Sequence, residues 1–169
     1  MKRTMLSVLL LCAGCGGGSD LDRDEVTNIP PGNATGTAAS GLYTFDLYVS
    51  KCSGTCPLVN VGLSTLSTCD VGFRDEAEVT LTQSDGRIQI DSQDLLVTRM
   101  VGGLNADGSF DVGGYGTQLS GAIEITNRAK GILAQDGSVT AQSRTHAEGN
   151  VNGTTVDCTA TYDVTGHKL

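Results

Sequence analysis

The side chains best suited to specific chemistry in this sequence are four cysteines, namely Cys52, Cys56, Cys69 and Cys158. Four thiolates can bind zinc tetrahedrally, but zinc sites are usually built from two closely spaced pairs. This chain has one Cys-x3-Cys pair and two distant single cysteines. An even number of cysteines in an exported domain instead predicts two disulfides. We therefore expect disulfides at these positions and no metal site.

The sequence has plentiful carboxylates, with 19 Asp and Glu residues, but few histidines and no catalytic motif. Its two histidines are His146, on a predicted strand, and His167, near the C-terminus. A general base needs a partner that orients it, and the sequence assigns none to either histidine. The nucleophile elbow, the phosphate-binding glycine loop and the His-Glu-x-x-His motif are all missing. We predict that the protein is not an enzyme and needs no cofactor, although a cleft joining His146 to a carboxylate would favour the enzyme alternative.

The N-terminus has the three parts of an export signal. Lys2 and Arg3 give a positive start, residues 5–11 form an apolar run, and small residues directly precede Cys15. The apolar run is much shorter than the roughly 20 residues that a membrane-spanning helix needs. We predict that residues 1–14 are a signal peptide that is removed on export.

The junction at residues 12–15 resembles the lipobox of bacterial lipoproteins, in which signal peptidase II cleaves before the cysteine. The resemblance implies that Cys15 becomes the mature N-terminus and carries a diacylglyceryl group and an N-linked acyl chain such as palmitate. Attachment through three such chains is effectively permanent, because each buried methylene contributes about 0.8 kcal/mol. In lipoproteins an Asp after the cysteine commonly signals inner-membrane retention. Gly16 stands here, which implies an outer-membrane location in the bacterial cell envelope.

The charge of the chain excludes one class of partner. The formal net charge is −8, and loss of Lys2 and Arg3 with the signal peptide takes it to −10. Such a chain repels phosphate backbones, and no basic stripe opposes that repulsion. We expect no binding to nucleic acid and membrane contact only through the N-terminal lipid.

The remainder divides into a tether and one domain. Residues 15–40 begin with a glycine run, contain Pro30 and Pro31, and have few large apolar side chains. They are predicted to be a flexible acidic tether, because they bury too little apolar surface to fold alone. Residues 41–169 are long enough for a single hydrophobic core.

The domain has the period-two alternation of half-buried strands, beginning near Leu42 and clearest before the C-terminus. Turn pairs such as Asp85-Gly86 and Asn152-Gly153 separate the alternating segments and predict tight hairpins. The sequence therefore predicts an all-β antiparallel meander, with an up-and-down barrel favoured over a two-sheet sandwich. Glycines of residues 113–121 are expected to form bulges or barrel corners.

Closure of a barrel also predicts how the cysteines pair. Cys52 follows the first predicted strand and Cys158 lies in the last, so these two would join the neighbouring ends of a closed barrel. Cys56 would then pair with Cys69. The alternative pairing is Cys52 with Cys69 and Cys56 with Cys158, and three pairings of four cysteines are possible.

The function that these features favour is a membrane-anchored envelope lipoprotein whose non-catalytic β domain binds or scaffolds an unidentified protein. The alternative is a lipocalin-like carrier of a small hydrophobic ligand. A carrier needs small inward side chains, and Ala141, Ser143, Thr145 and Ala147 share one face of a predicted strand. A dry interior cavity above roughly 300 Å³ would favour the carrier.

Overall fold

The computed structural model describes residues 20–61, 64–67 and 69–169. The predicted signal peptide, residues 1–14, and the predicted lipidation site Cys15 lie outside the described residues. Within these described ranges, no helix has the length and apolar content needed to cross a membrane.

Eight antiparallel strands close into one up-and-down barrel, in which β1 pairs with both β4 and β10. The barrel strands are β1 (Gly41–Thr55), β4 (Arg74–Ser84), β5 (Arg87–Asp91), β6 (Arg99–Leu104), β7 (Ser109–Gln118), β8 (Ile123–Leu133), β9 (Ser138–Val151) and β10 (Thr154–Lys168). The other described elements are a short helix α1 (Arg23–Thr27), a hairpin of β2 (Leu58–Val61) and β3 (Ser64–Ser67), and a 3₁₀ turn η1 (Leu119–Gly121). The predicted barrel is confirmed, and the two-sheet sandwich is not formed.

The tight turns predicted from the sequence join neighbouring strands. Asp85 and Gly86 have φ values of 41° and 75°, and Asn152 and Gly153 have φ values of 51° and 85°. Two successive residues with positive φ form a type I′ turn, whose twist matches that of the flanking strands. These turns fix the register of the β4–β5 and β9–β10 hairpins.

Side chains alternate between the barrel interior and the outer surface, as a period of two requires. The largest fully buried side chains are Tyr43, Ile88, Val26, Val79, Val97, Val112, Val156 and Cys158. Outward positions such as Glu78, Thr80, Asp157 and Asp163 are exposed. All but Val26 of the fully buried side chains belong to one hydrophobic core.

Two disulfides form, but the favoured pairing was wrong and the alternative is observed. Cys52 bonds to Cys69 and Cys56 to Cys158, with Cα–Cα distances of 5.9 and 4.7 Å. The reason is the register of β1 on β10, which shifts between Val49 and Lys51 and places Gly54, rather than Cys52, opposite Cys158. Cys56 follows this position, so it supplies the bond that joins the first and last strands.

Residues 20–40 form a strap on the barrel, in contrast to the flexible tether predicted for residues 15–40. Leu21, Val26 and Ile29 are 3%, 0% and 5% exposed, and helix α1 packs on β7 and β8. Ala39 joins the barrel core and accepts a hydrogen bond from the Tyr43 hydroxyl at 2.9 Å. We call residues 20–40 the N-terminal strap. Its few apolar side chains suffice because the outer wall of the barrel, not the strap itself, covers them.

Polar contacts fix the strap along its length. Asp20 forms an ion pair with Arg144 at 2.5 Å, and its carbonyl accepts a hydrogen bond from Arg128. The Arg23 guanidinium lies 4.0 Å from the centre of the Tyr115 ring. Further hydrogen bonds join strap residues to the β4–β5 turn and to the end of β6. The strap therefore crosses several strands rather than hanging from one.

Glycines on the outer wall allow the strap backbone to lie close to the sheet. A Cβ at Gly103 would come within 2.6 Å of the Pro30 carbonyl oxygen, and one at Gly113 within 2.5 Å of the Val26 carbonyl oxygen. Gly113 is therefore not a bulge or corner, as the sequence suggested, but a contact point for the strap. The strand is regular there and pairs with both neighbours.

Candidate functional site

The barrel encloses a cavity of about 240 Å³ that reaches the surface at one end. We call this end the mouth. It lies beside Phe73 and the loop of residues 92–98, where Phe73 and Leu96 are 52% and 51% exposed although they line the cavity. The volume is below the roughly 300 Å³ that would favour a lipocalin-like carrier and at which pockets for drug-sized ligands begin. It exceeds the roughly 150 Å³ of an engineered protein cavity that binds benzene.

Small side chains on two neighbouring strands create this space. Ala141, Ser143 and Thr145 of β9 line the cavity, as does Ala129 of β8. Ala147, which shares their face of β9, packs against the core but is not part of the lining. The prediction of small inward residues on this strand is thus confirmed for three of four positions. Larger apolar side chains form the opposite wall, among them Phe45, Leu47, Ile90 and Met100.

A polar patch interrupts the apolar lining on β8 and β9. The Asn127 amide donates a hydrogen bond to Thr145 Oγ1 at 2.8 Å, and the Ser143 hydroxyl donates one to Asn127 Oδ1 at 2.9 Å. Ser143 and Thr145 are only 6% and 4% exposed. An amide nitrogen carries two hydrogens and a hydroxyl carries one. The patch therefore keeps an Asn127 hydrogen and the Thr145 hydroxyl hydrogen for an acceptor inside the cavity.

The loop at the mouth is held in place from both sides. Ser92 donates a hydrogen bond from its hydroxyl to the Glu78 carbonyl at 2.7 Å, and the Leu96 carbonyl accepts one from the Gln118 amide at 3.1 Å. Val97 is 2% exposed and packs beside Gly114 of β7, where no side chain intervenes. These contacts fix the position of the loop, so the opening of the cavity is a defined part of the fold.

Tyr162 of β10 is the one aromatic hydroxyl among the described residues that line the cavity. Burial raises the pKa of the Tyr162 hydroxyl above its usual value, and the negative charge of Asp75 raises it further. The hydroxyl is therefore protonated at neutral pH and can donate a hydrogen bond.

The histidines lie outside the cavity and apart from each other. His146 Nε2 is 2.9 Å from Asp157 Oδ1 on the outer wall, so Asp157 is the partner that sequence reasoning did not assign. His167 is exposed near the end of β10. A second pocket of about 100 Å³ joins His146 to Glu124 and Glu148 beneath the strap.

The second pocket is a cleft that joins His146 to carboxylates, the feature that would favour the enzyme alternative. Thr126 lies directly opposite His146 across β8 and β9. Its hydroxyl oxygen is buried and makes no hydrogen bond with any described residue. Thr126 and His146 both line the pocket, but no hydrogen bond joins the Thr126 hydroxyl to the His146 ring.

Comparison of the sequence with known proteins assigns no family to the chain. No protein-family model matches the sequence, and no curated protein matches it significantly. The proposals that follow therefore depend on the barrel, its cavity and the N-terminal sequence.

Proposed function

We propose that the protein is a non-catalytic binding module that holds a small, mainly apolar ligand in the barrel cavity. The observation that carries this proposal is the cavity of about 240 Å³, with an apolar lining, a polar patch and an open mouth. Protein interiors are normally packed without voids of this size. Small side chains on β8 and β9, rather than poor packing elsewhere, account for the space.

The dimensions of the cavity limit the ligand. Its volume is suited to a single ring or a short aliphatic chain rather than a drug-sized molecule. The hydrogens left over by Asn127 and Thr145 allow one acceptor group on the ligand but do not require it. This combines the predicted binding module with the carrier alternative, restricted to small ligands.

The test fills the cavity and measures binding of a neutral probe. Ala141→Leu adds a side chain at the cavity wall, and Ala129→Leu does the same from β8. We expect isothermal titration with hexanol to show binding to the wild type and at least a severalfold loss in both variants. The matched control is Thr140→Leu, whose side chain lies on the exposed face of the same strand. Equal hexanol binding by all four folded proteins, or by none, would contradict the proposal.

We further propose that Cys15 anchors the mature protein in the bacterial envelope, with the outer membrane as its location. The N-terminal sequence supports this through its charged start, short apolar run and the small residues before Cys15. In a bacterial host, wild-type protein is expected in the detergent phase after phase partitioning. The Cys15→Ala variant is expected to lose that partitioning. A variant processed to mature length that still enters the detergent phase would show that another feature binds the membrane.

A further inference from the structure

The charges at the mouth have one sign. Asp75 and Asp94 both line the cavity where it reaches the surface. Among the described residues that line it, none is a lysine, arginine or histidine. The formal net charge of the whole chain is also negative, at −8. An anionic ligand would therefore enter against repulsion, whereas a cationic one would be attracted.

Backbone contacts hold the two carboxylates at the mouth. Asp75 Oδ1 accepts a hydrogen bond from the Glu76 backbone N–H at 3.0 Å, and Asp94 Oδ2 accepts one from the Glu78 backbone N–H at 3.2 Å. Glu76 and Glu78 belong to β4, as Asp75 does, so one strand fixes the position of both groups. In each case the second carboxylate oxygen is left for another donor.

Neither carboxylate is neutralised by the protein. Some acids in this fold form ion pairs, as Asp91 does with Arg99 and Asp111 with Arg128. Asp75 and Asp94 have no such partner among the described residues. Arg74, the neighbour of Asp75 in sequence, lies over the Tyr48 ring, with 5.0 Å between its guanidinium carbon and the ring centre.

We propose that the ligand of the cavity is a small amphiphilic amine, with its apolar part inside the barrel and its ammonium group at Asp75 and Asp94. This inference rests on the proposed function, because it names the chemical class of ligand for the same cavity. An alkyl ammonium group supplies the hydrogen-bond donors that the free carboxylate oxygens accept. It is also protonated at neutral pH, as a lysine side chain is.

The experiment compares three probes that differ only in their polar end: hexylamine, hexanol and hexanoate. Isothermal titration at neutral pH and low ionic strength is expected to rank them in that order. Hexylamine should bind more tightly than hexanol by about fivefold or more, the effect of one close charge pair in water. In the double variant Asp75→Asn and Asp94→Asn, hexylamine affinity should fall to that of hexanol, while hexanol affinity stays unchanged. The control Asp85→Asn makes the same change in the turn at the opposite end of the barrel, and it should preserve the preference.

The outcomes separate the amine inference from the proposed function. If hexanol and hexanoate bind as well as hexylamine, the cavity binds ligands but the amine inference is wrong. The same conclusion follows if the double variant keeps the preference for hexylamine, because the carboxylates then do not cause it. If none of the three probes binds to folded wild-type protein, both proposals fail.

Discussion

The outer wall beneath the strap and the interior of the barrel are packed in opposite ways. On the outer wall, Gly103 and Gly113 let the strap backbone approach so closely that a single added Cβ would collide with it. In the interior, alanine, serine and threonine on β8 and β9 leave a cavity of about 240 Å³. Small residues thus allow close backbone contact on the outer face of the sheet and leave a cavity on its inner face. The difference indicates that the cavity is a specific feature, because the same sheet packs tightly where contact is needed.

The largest effect is expected from removing the strap. A chain beginning at Gly41 exposes the wall that Leu21, Val26 and Ile29 cover, and burial of such side chains contributes roughly 1.5–3 kcal/mol each. Regained chain entropy of the freed segment offsets part of this loss. We expect a net loss of several kcal/mol and a melting temperature lower by about 10 °C or more. The control chain begins at Asp20, and melting within a few degrees of that control would show that the strap is a tether after all.

Two single substitutions of aliphatic side chains compare the outer wall beneath the strap with the barrel interior. Val26→Ala removes a fully buried side chain under the strap and should cost about 1–3 kcal/mol. Ala141→Leu adds carbon atoms to the cavity wall and should be neutral or stabilising by up to about 1 kcal/mol. Chemical denaturation measures both. A loss for Ala141→Leu equal to that of Val26→Ala would mean that the interior is already full.

The smallest effect concerns the electrostatics of the mouth. The folded-state pKa of Tyr162 is raised by burial first and by the Asp75 charge second, so Asp75→Asn should lower it only partly toward the ordinary value. NMR titration of ring-labelled tyrosine measures this change, with Asp85→Asn as the control. Because the folded pKa lies above the unfolded one, neutral Tyr162 contributes stability below the unfolded pKa. That stability is lost as the pH rises through the folded pKa. An unchanged Tyr162 pKa in Asp75→Asn would show that the charge of Asp75 does not act on this group of the cavity wall.

Local patterns predicted most of the barrel. Strand alternation and turn pairs such as Asp85-Gly86 act between neighbouring residues, so the sequence displays them directly. The same alternation identified Ala141, Ser143 and Thr145 as inward residues before the cavity was known. The even number of cysteines predicted two disulfides, but their pairing depends on the irregularity between Val49 and Lys51, which no local sequence pattern indicates.

Contacts between distant segments were the part that the sequence did not reveal. The strap has only three large aliphatic side chains, at Leu21, Val26 and Ile29, and no regular period connects them. The signal that could have found it lies on its partner strands, where Gly103 and Gly113 place no side chain on the outward face. The mouth carboxylates were missed for a similar reason, because Asp94 lies in a loop and only the fold brings it to the same cavity as Asp75.

Docking of the strap also limits the distance between the proposed lipid and the folded protein. Five residue steps separate Cys15 from Asp20, which the barrel holds through Arg144. A fully extended chain of that length spans only about 18 Å. In the lipidated form that we propose, the barrel would stay within that distance of its anchor point and meet a locally high concentration of amphiphiles partitioned at the bilayer surface. Lengthening the segment before Asp20 would let the barrel lie farther from the bilayer surface, where the concentration of amphiphiles is lower. No contact in the cavity would change.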